Sequence, residues 1–464
     1  MEKVRFALYF GNRGFFPGEL IADARRELAE AVSKNGFEYL MMDESLTRYG
    51  AVETIAEGKQ YAEFLEKNRG QYDGIILCLP NFGDENGALS AFQNVTVPIL
   101  VQAYPDELNK MDFAHRRDAL CGKIAMCNCL RQRKIRYSLT AQPTVHPLTE
   151  EFDEDLRVFA GICRIVRGMK ELRVGAIGAR TTAFKTVRFD EIAMQNKGIS
   201  VETVDLSEIF ARMQKVSSEQ ISSQKDVFRK YAGWDAYPSF KLEQMARLAA
   251  VLKDLIDELE LHAVAIRCWP EMEQQLGIAP CLAMAELNEH GIPAACEMDV
   301  NNAVMMRALS LASNSPVMLL DVNNNNGDQT DSCILFHCSA IPASLMKETG
   351  QVKEHLMFRK SYGEGCGVGI HLGKISPGEV TMGSLKTEDG QLCAFVAEGT
   401  LTEDPIGNGF FGCGTVLKKR NMGQMLTYMC ENGYRHHVAI VKGNWQTSVA
   451  EAFTKYLSYQ ADIL

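Results

Sequence analysis

The stretch VRFALYF (4–10), with GELIADARRELAEAVSKNG (18–36) and EYLMMD (38–43) behind it, decides how the first third of this chain folds. The outer two segments are short runs of aliphatic and aromatic residues, the composition of buried strands. The middle segment spaces its apolar residues as a helix does and ends on Asn35-Gly36, a helix stop. Strand, helix, strand in one sense implies parallel pairing. The runs DGIILCLP (73–80) and PILVQAY (98–104) continue the alternation, so a doubly wound parallel sheet is expected. Such sheets bind ligands at the carboxyl ends of their strands. Here those ends are YFGNRGFFPG (9–18), LPNFGDENG (79–87) and QAYPDE (102–107).

A similar unit begins after the helical pattern DLRVFAGICRIVRGMKE (155–171). LRVGAIGAR (172–180) reads as a strand running into a turn. KLEQMARLAAVLKDLIDELEL (241–261) reads as a long helix and AVAIRCWP (263–270) as a strand. One helix is expected over about 272–290, and another over NNAVMMRALSLAS (301–313). Beyond 313 the pattern turns strand-rich, with a D-G hairpin signal in KTEDGQL (386–392). The final QTSVAEAFTKYLSYQADIL (446–464) has helical periodicity. The expected class is therefore α/β: two Rossmann-like doubly wound domains, 1–170 and 171–312, then an antiparallel β domain, 313–464, closed by a terminal helix.

The 464 residues are 46% hydrophobic and 23% charged, with a net charge of −10, which fits a folded, acidic protein rather than a nucleic-acid binder. LKKR (417–420) is the densest basic run and reads as a solvated turn. The N-terminal apolar run is too short for a signal peptide, and no stretch approaches a membrane span. The fourteen cysteines, mostly inside apolar segments, are expected as reduced thiols of a cytoplasmic protein. Cys127 and Cys129 form only a C-x-C pair, not a zinc motif. GAIGAR (175–180) lacks the full dinucleotide fingerprint, and GEGCGVG (363–369) lacks the Lys-Ser/Thr of a phosphate loop. The first is expected as a tight turn, the second as a flexible loop bordering a site.

Three segments place ionisable residues within or beside apolar runs: Glu297 in IPAACEMDV (292–300), Asp321 in SPVMLLDVNNNNGD (315–328), and His436 and His437 in YRHHVAIVKG (434–443). A buried charge costs several kcal/mol unless paired or bound to metal. Two carboxylates and an imidazole together suit a Mn²⁺- or Mg²⁺-type ion with open positions. Each residue alone also has a structural reading. Glu297 can be a helix N-terminal acid, Asp321 the start of an Asn-rich turn, and His337 in ILFHCS (334–339) a core histidine. Adjacent on a strand, His436 and His437 are expected to point to opposite faces, so one of them reaches a given ion.

GIAPCLAMAELNEHGIPAACEMDVNNAVMMRALS (277–310), VMLLDVNNNNGD (317–328), SCILFHCS (332–339) and GKISPGEVTMGSL (373–385) resemble the L-fucose isomerase/L-arabinose isomerase superfamily. The 24-residue separation of Glu297 and Asp321 agrees with its fucose-isomerase branch. The resemblance implies reversible aldose–ketose interconversion with Mn²⁺ or another divalent cation. It also implies a homo-oligomer with sites near subunit interfaces. Glu297 and Asp321 then match the metal-binding carboxylates that also serve as catalytic acid and base, and His437 a third ligand. His337 matches a further ligand of the arabinose branch, and Arg13 a substrate-binding arginine. Asn323, His436 and Trp269 are expected at the sugar. The candidate substrates are L-fucose, D-arabinose, L-arabinose and anionic hexoses such as sulfoquinovose. Arg180, Lys185 and Arg188 are available to an anionic group, or to surface salt bridges. The alternatives are a non-catalytic sugar-binding protein on the same fold and, more remotely, a nucleotide-dependent oxidoreductase.

Overall fold

A computed structural model describes residues 3–338, 340–348, 350–407 and 411–464. It divides into two compact units, Met1–Arg167 with Glu451–Ser458, and Gly168–Ala450 with Tyr459–Leu464.

The first unit is built on five parallel strands: β1 (Arg5–Phe10), β2 (Glu38–Met41), β3 (Gly74–Leu79), β4 (Ile99–Ala103) and β5 (Ser138–Leu139), in the order β2-β1-β3-β4-β5. Strands β3 and β4 are buried along their whole length, as expected of a sheet covered on both faces. Leu20–Lys34 buries Ile21, Ala24, Leu28, Ala31 and Val32, the helical stripe read from sequence. The helix Ile55–Lys67 starts on a reciprocal Thr54–Glu57 capping box. At the carboxyl ends of β1 and β3, buried Asn12 and Asn81 bond each other, and Arg13 pairs with Glu85.

In the second unit a four-stranded parallel sheet runs β7-β6-β8-β9, from β6 (Leu172–Ile177), β7 (Ile199–Val204), β8 (Ala263–Ile266) and β9 (Ala294–Cys296). Gly178 follows β6 at φ +82, the tight turn expected of GAIGAR. The expected single helix over 272–290 is two, Glu271–Leu276 and Cys281–Glu289. Gly277 ends the first in a left-handed conformation, and Pro280 precedes the second.

The strand-rich remainder of this unit is a nine-stranded sheet: β10 (Val317–Asn326), β11 (Gln329–His337), β12 (Gln351–Glu354), β13 (Val368–Lys374), β14 (Gly378–Glu388), β15 (Gln391–Thr402), β16 (Cys413–Lys418), β17 (His437–Lys442) and β18 (Gln460–Ile463). Its order is β12-β13-β16-β11-β10-β17-β14-β15-β18. An extra β15–β16 pairing closes six strands into a ring around Met318, Leu320, Leu335, Met382, Phe395, Leu417, Val438 and Ile440. Asp389 and Gly390, at φ +48 and +74, make the β14–β15 hairpin turn.

Two expectations change here. The sheet is mixed rather than antiparallel, because β13–β16 and β15–β18 run parallel. The chain does not close on a helix either. After Gln446–Glu451 comes a π-helical stretch, Ala452–Leu457. Ser458 then turns left-handed and releases the backbone into β18. No described helix is long and apolar enough to cross a membrane.

Candidate active site

Glu297 owes its position to the end of the parallel sheet. It follows β9 directly at φ +62, and Met298 continues at φ +65. Two successive non-glycine residues in the left-handed region cost about 1–3 kcal/mol each, and such strain is concentrated at functional sites. The turn ends at Asp299, whose carboxylate accepts the Asn302 N–H and caps the helix Val300–Ser313.

The nine-stranded sheet supplies the other groups. On central β10, Asp321 lies opposite His437 of β17 and opposite Phe336 of β11, and His337 is the next residue after Phe336. Ligand atoms of Asp321, His337 and His437 all lie within 4.8 Å of one another. Asp321 Oδ1, His337 Nδ1 and His437 Nε2 are buried and have no hydrogen-bond partner among the described residues. Glu297 joins them. Its Oε2 is 3.0 Å from His437 Nε2, while its Oε1 accepts the Trp269 indole N–H at 2.9 Å. Asp321 Oδ1 is 3.4 Å from the same His437 nitrogen.

His437 is oriented from behind. Its Nδ1 lies 2.9 Å from Asp299 Oδ2, and both side chains have zero exposure. Asn302 Nδ2 donates to Asp299 Oδ2 and to the His437 carbonyl, and Arg435 lies 3.3 Å from Asp299 Oδ1. With Nδ1–H given to Asp299, Nε2 is left facing Glu297 and Asp321, which is the orientation a metal-ligating imidazole needs.

Electrostatics point the same way. Burial works to lower the His437 pKa, but Asp299, Glu297 and Asp321 outweigh it and hold it at about 10. Burial works to raise Glu297, and His437, His337 and the Trp269 N–H instead hold it below the usual carboxylate range. Three carboxylates around one imidazole call for positive charge. A proton on His437 is one source and a divalent cation another. Carboxylate oxygens beside imidazole nitrogens, gathered within 4.8 Å, fit a divalent cation.

The other expected residues separate into two groups. Trp269 holds Glu297, and His436 stands beside the cluster. The expectation that His436 and His437 face opposite ways fails, because His436 precedes β17 and is not bound by its alternation. Its ring centroid is 4.6 Å from that of His437, and its Nε2 is 3.8 Å from Asp321 Oδ1. The two differ in burial, 41% side-chain exposure against 0%. Arg13 belongs to the first unit, where Glu85 and the Gly83 carbonyl hold it and Phe82 lies under its guanidinium. Asn323 is exposed and bonded to Asn324, and Asn325 and Asn326 bond within the β10–β11 turn.

A cavity of about 300 Å³ opens beside Glu297 and His337. It is walled by the thiols of Cys268, Cys281, Cys296 and Cys338 and by the helix Leu356–Tyr362. Cys338 Sγ is 3.1 Å from His355 Nε2, and burial lowers the His355 pKa to about 4. The glycine-rich 363–369 loop follows that helix. It is tied down rather than loose: the Gly365 N–H donates to Glu354, and its carbonyl accepts from Lys241. Phe184 packs on Trp269, His436 and His437, with ring centroids 6.0, 5.5 and 5.8 Å away. Sequence reasoning missed Asp299, Arg435 and Phe184. Asp299 had a signal, an acid opening an apolar helix with Asn three residues on, but that signal reads as a cap.

An N-terminal domain model of fucose/sulfoquinovose isomerases matches residues 7–170, and an L-fucose isomerase C-terminal domain model matches residues 335–463. The chain belongs to the fucose isomerase family. This isomerase is similar to proteins named sulfoquinovose isomerase. That of Priestia megaterium is 22% identical over 424 residues, 90% of this chain and 92% of the relative. That of Alkalicoccus urumqiensis is 24% identical over 317 residues, 68% and 70% of the two chains. That of a Clostridium species is 23% identical over 248 residues, 52% and 54%. The protein is thus a sugar aldose–ketose isomerase. The C-terminal match includes His337, His436 and His437, and the N-terminal match includes Arg13. Glu297 and Asp321 lie in the segment between them.

Proposed function

We propose that the protein is a divalent-metal-dependent isomerase that interconverts an aldose and its ketose through a cis-enediol, with Glu297 and Asp321 as the proton-transferring carboxylates. Asp321, His437 and His337 hold the cation, and Glu297 completes the set. The observation that carries this reading is the convergence of ligand atoms of Asp321, His337 and His437 within 4.8 Å of one another, beside Glu297. A bound divalent cation supplies Lewis acidity that stabilises negative charge on the sugar oxygens.

The chain's own groups do the rest. One carboxylate takes the C2 proton and the other returns a proton to C1. Groups of this kind contribute roughly 10²–10⁴-fold. Glu297 is held by the Trp269 N–H on one oxygen and turns the other toward His437 Nε2 in the cluster. His437 is fixed by Asp299, so the cluster does not reorganise between steps. Phe184 and Trp269 supply aromatic surface on one side of the cluster.

The substrate we put first is sulfoquinovose, on which three named relatives act. Phe184, which packs on Trp269, His436 and His437, shares its loop with Arg180, Lys185 and Arg188, cations of the kind that would suit a sulfonate. Arg180 and Arg188 donate to backbone carbonyls of that loop, and among the described residues they form none of the surface salt bridges expected as their ordinary role. The arrangement we propose is a cytoplasmic homo-oligomer using Mn²⁺. None of its fourteen cysteines forms a disulfide, in keeping with a reducing compartment. The test is a panel of sulfoquinovose, L-fucose, D-arabinose and L-arabinose with Mn²⁺, following ketose formation. Turnover of sulfoquinovose above the neutral sugars supports the assignment. Turnover of a neutral aldose alone reassigns the substrate, and turnover of none removes the functional reading.

A further inference from the structure

Glu273 is the buried acid of this molecule that neither the fold nor the cluster uses. It lies on the short helix Glu271–Leu276, one turn beyond Trp269, and has 0% exposure. Both of its carboxyl oxygens lack a hydrogen-bond partner among the described residues. It lines the 300 Å³ cavity together with Glu297 and His337. Its neighbour Met272 is just as buried and does what packing requires with an apolar side chain. A carboxyl at the next position without a partner is costly, by ~1–3 kcal/mol or more. Elsewhere in the interior the acids have partners: Asp299 has His437, Arg435 and Asn302, and Glu286 has Lys253.

We propose that the Glu273 carboxyl is a substrate-binding group of this cavity, hydrogen-bonded to a sugar hydroxyl when the cavity is filled. This rests on the isomerase reading for the identity of the ligand as a sugar. The titratable groups sharing the wall are Glu297 and His337, His355 and Tyr362 of the facing helix, and the four thiols already described. Glu271 lies two residues away on the same helix. Among the described residues no Lys or Arg lines the cavity to keep a carboxylate ionised, and His355 is neutral. Burial pushes the Glu273 carboxyl up to about 9, against the pull of its own backbone N–H, and Glu271 adds to the rise. The group is therefore a neutral acid at pH 7, able to donate through its O–H and accept through its carbonyl. A hydroxyl needs that pair of functions. A neutral acid also adds no negative charge beside Glu297, where an ionised one would oppose it.

The test uses the full chain with two variants. Glu273→Gln keeps the shape and a neutral donor–acceptor pair, and Glu273→Met keeps the volume and removes both. The probe is whichever of sulfoquinovose, L-fucose and D-arabinose the wild type turns over fastest. The expected result for Glu273→Met is a rise in KM of about tenfold, the loss of one good hydrogen bond, with kcat within about twofold. Glu273→Gln is expected within about threefold of wild type in KM, and both variants to melt no lower than wild type. An unchanged KM in Glu273→Met overturns the proposal, as does an equal loss in both variants with a lowered melting temperature. Infrared difference spectra of wild type against Glu273→Gln at pH 7 need no substrate. They are expected to show a protonated-acid carbonyl band lost in the variant, and an ionised carboxylate there contradicts the proposal. Should wild type turn over no aldose, the isomerase reading fails on its own. The same sugars are then titrated by calorimetry against wild type and Glu273→Met, where weaker binding to the variant supports the proposal and equal or absent binding overturns it.

Discussion

His437 is fixed at one nitrogen by Asp299 and faces Glu297 and Asp321 with the other. Three outcomes follow from that geometry. His437→Ala is expected to lose most of its bound divalent metal, while His436→Ala stays near native, by elemental analysis of purified variants. The reverse pattern moves the ligand to His436. Asp299→Asn keeps one acceptor oxygen but removes the charge behind His437 and beside Arg435, so Mn²⁺ affinity is expected to fall about 10–100-fold, with a lowered melting temperature because an amide N–H₂ then faces buried donors. An unchanged Mn²⁺ titration contradicts Asp299's orienting role. Glu297→Gln and Asp321→Asn are expected to fold yet lose at least ~10²-fold in turnover. If either variant still exchanges deuterium into C2 of unreacted aldose at the native rate, that residue is not the base. At this scale much was legible. Glu297, Asp321 and His437 stand out because each interrupts or borders an apolar run. Asp299 was not legible, since its partner lies 138 residues away and pairing over that distance is decided by tertiary packing. Arg13 was carried by resemblance, and its partner Glu85 lies 72 residues away within the first unit; Asn323 bonds its neighbour Asn324.

The elements meet at Asn302. From the helix Val300–Ser313 its amide donates to Asp299 and the His437 carbonyl, and its oxygen accepts from the Ser384 hydroxyl and the Leu385 N–H on β14. One buried side chain thus joins the strand-to-helix turn that carries Glu297 to the sheet that carries His437. Asn302→Leu leaves several buried groups unpaired, each costing about 1–3 kcal/mol. A fall of at least ~5 °C in melting temperature is expected. A native melting temperature would show that the two elements are held by packing alone. Strands β1 to β4, β6 and β8 and the D-G hairpin were readable because hydrophobic runs and turn residues are local signals, whereas β5, β7 and β9 were not read: β5 and β9 are two and three residues long, and β7 carries exposed polar residues. The split of 272–290 was missed because its apolar residues continue across Gly277. Strand β18 was missed because QADI carries no strand pattern of its own and pairs only because β15 offers an edge. The parallel edges of the large sheet have the same cause: they are fixed by pairing across the chain, which periodicity does not encode.

For the whole molecule, acid and metal are the two controls. Asp155, in the first unit, is buried with one carboxyl oxygen unpaired, and burial raises its pKa to about 6. A carboxyl raised in the folded state lowers stability when it ionises. The contribution is absent below its unfolded pKa near 3.9, grows between there and 6, and is full above. Asp155→Asn, which retains an acceptor for the Ala141 N–H, is therefore expected to match wild type near pH 4 and to melt higher above pH 7. The gap is on the order of 2 kcal/mol, and a gap that does not change with pH contradicts the assignment. The central claim concerns the cluster of Asp321, His337, His437 and Glu297, and the most direct measurement is turnover of the aldose panel by protein stripped with a chelator. The expected result is loss of activity on stripping and recovery with Mn²⁺, better than with Ca²⁺, whose larger and more flexible shell suits this chemistry poorly. Full activity in the stripped protein would contradict it.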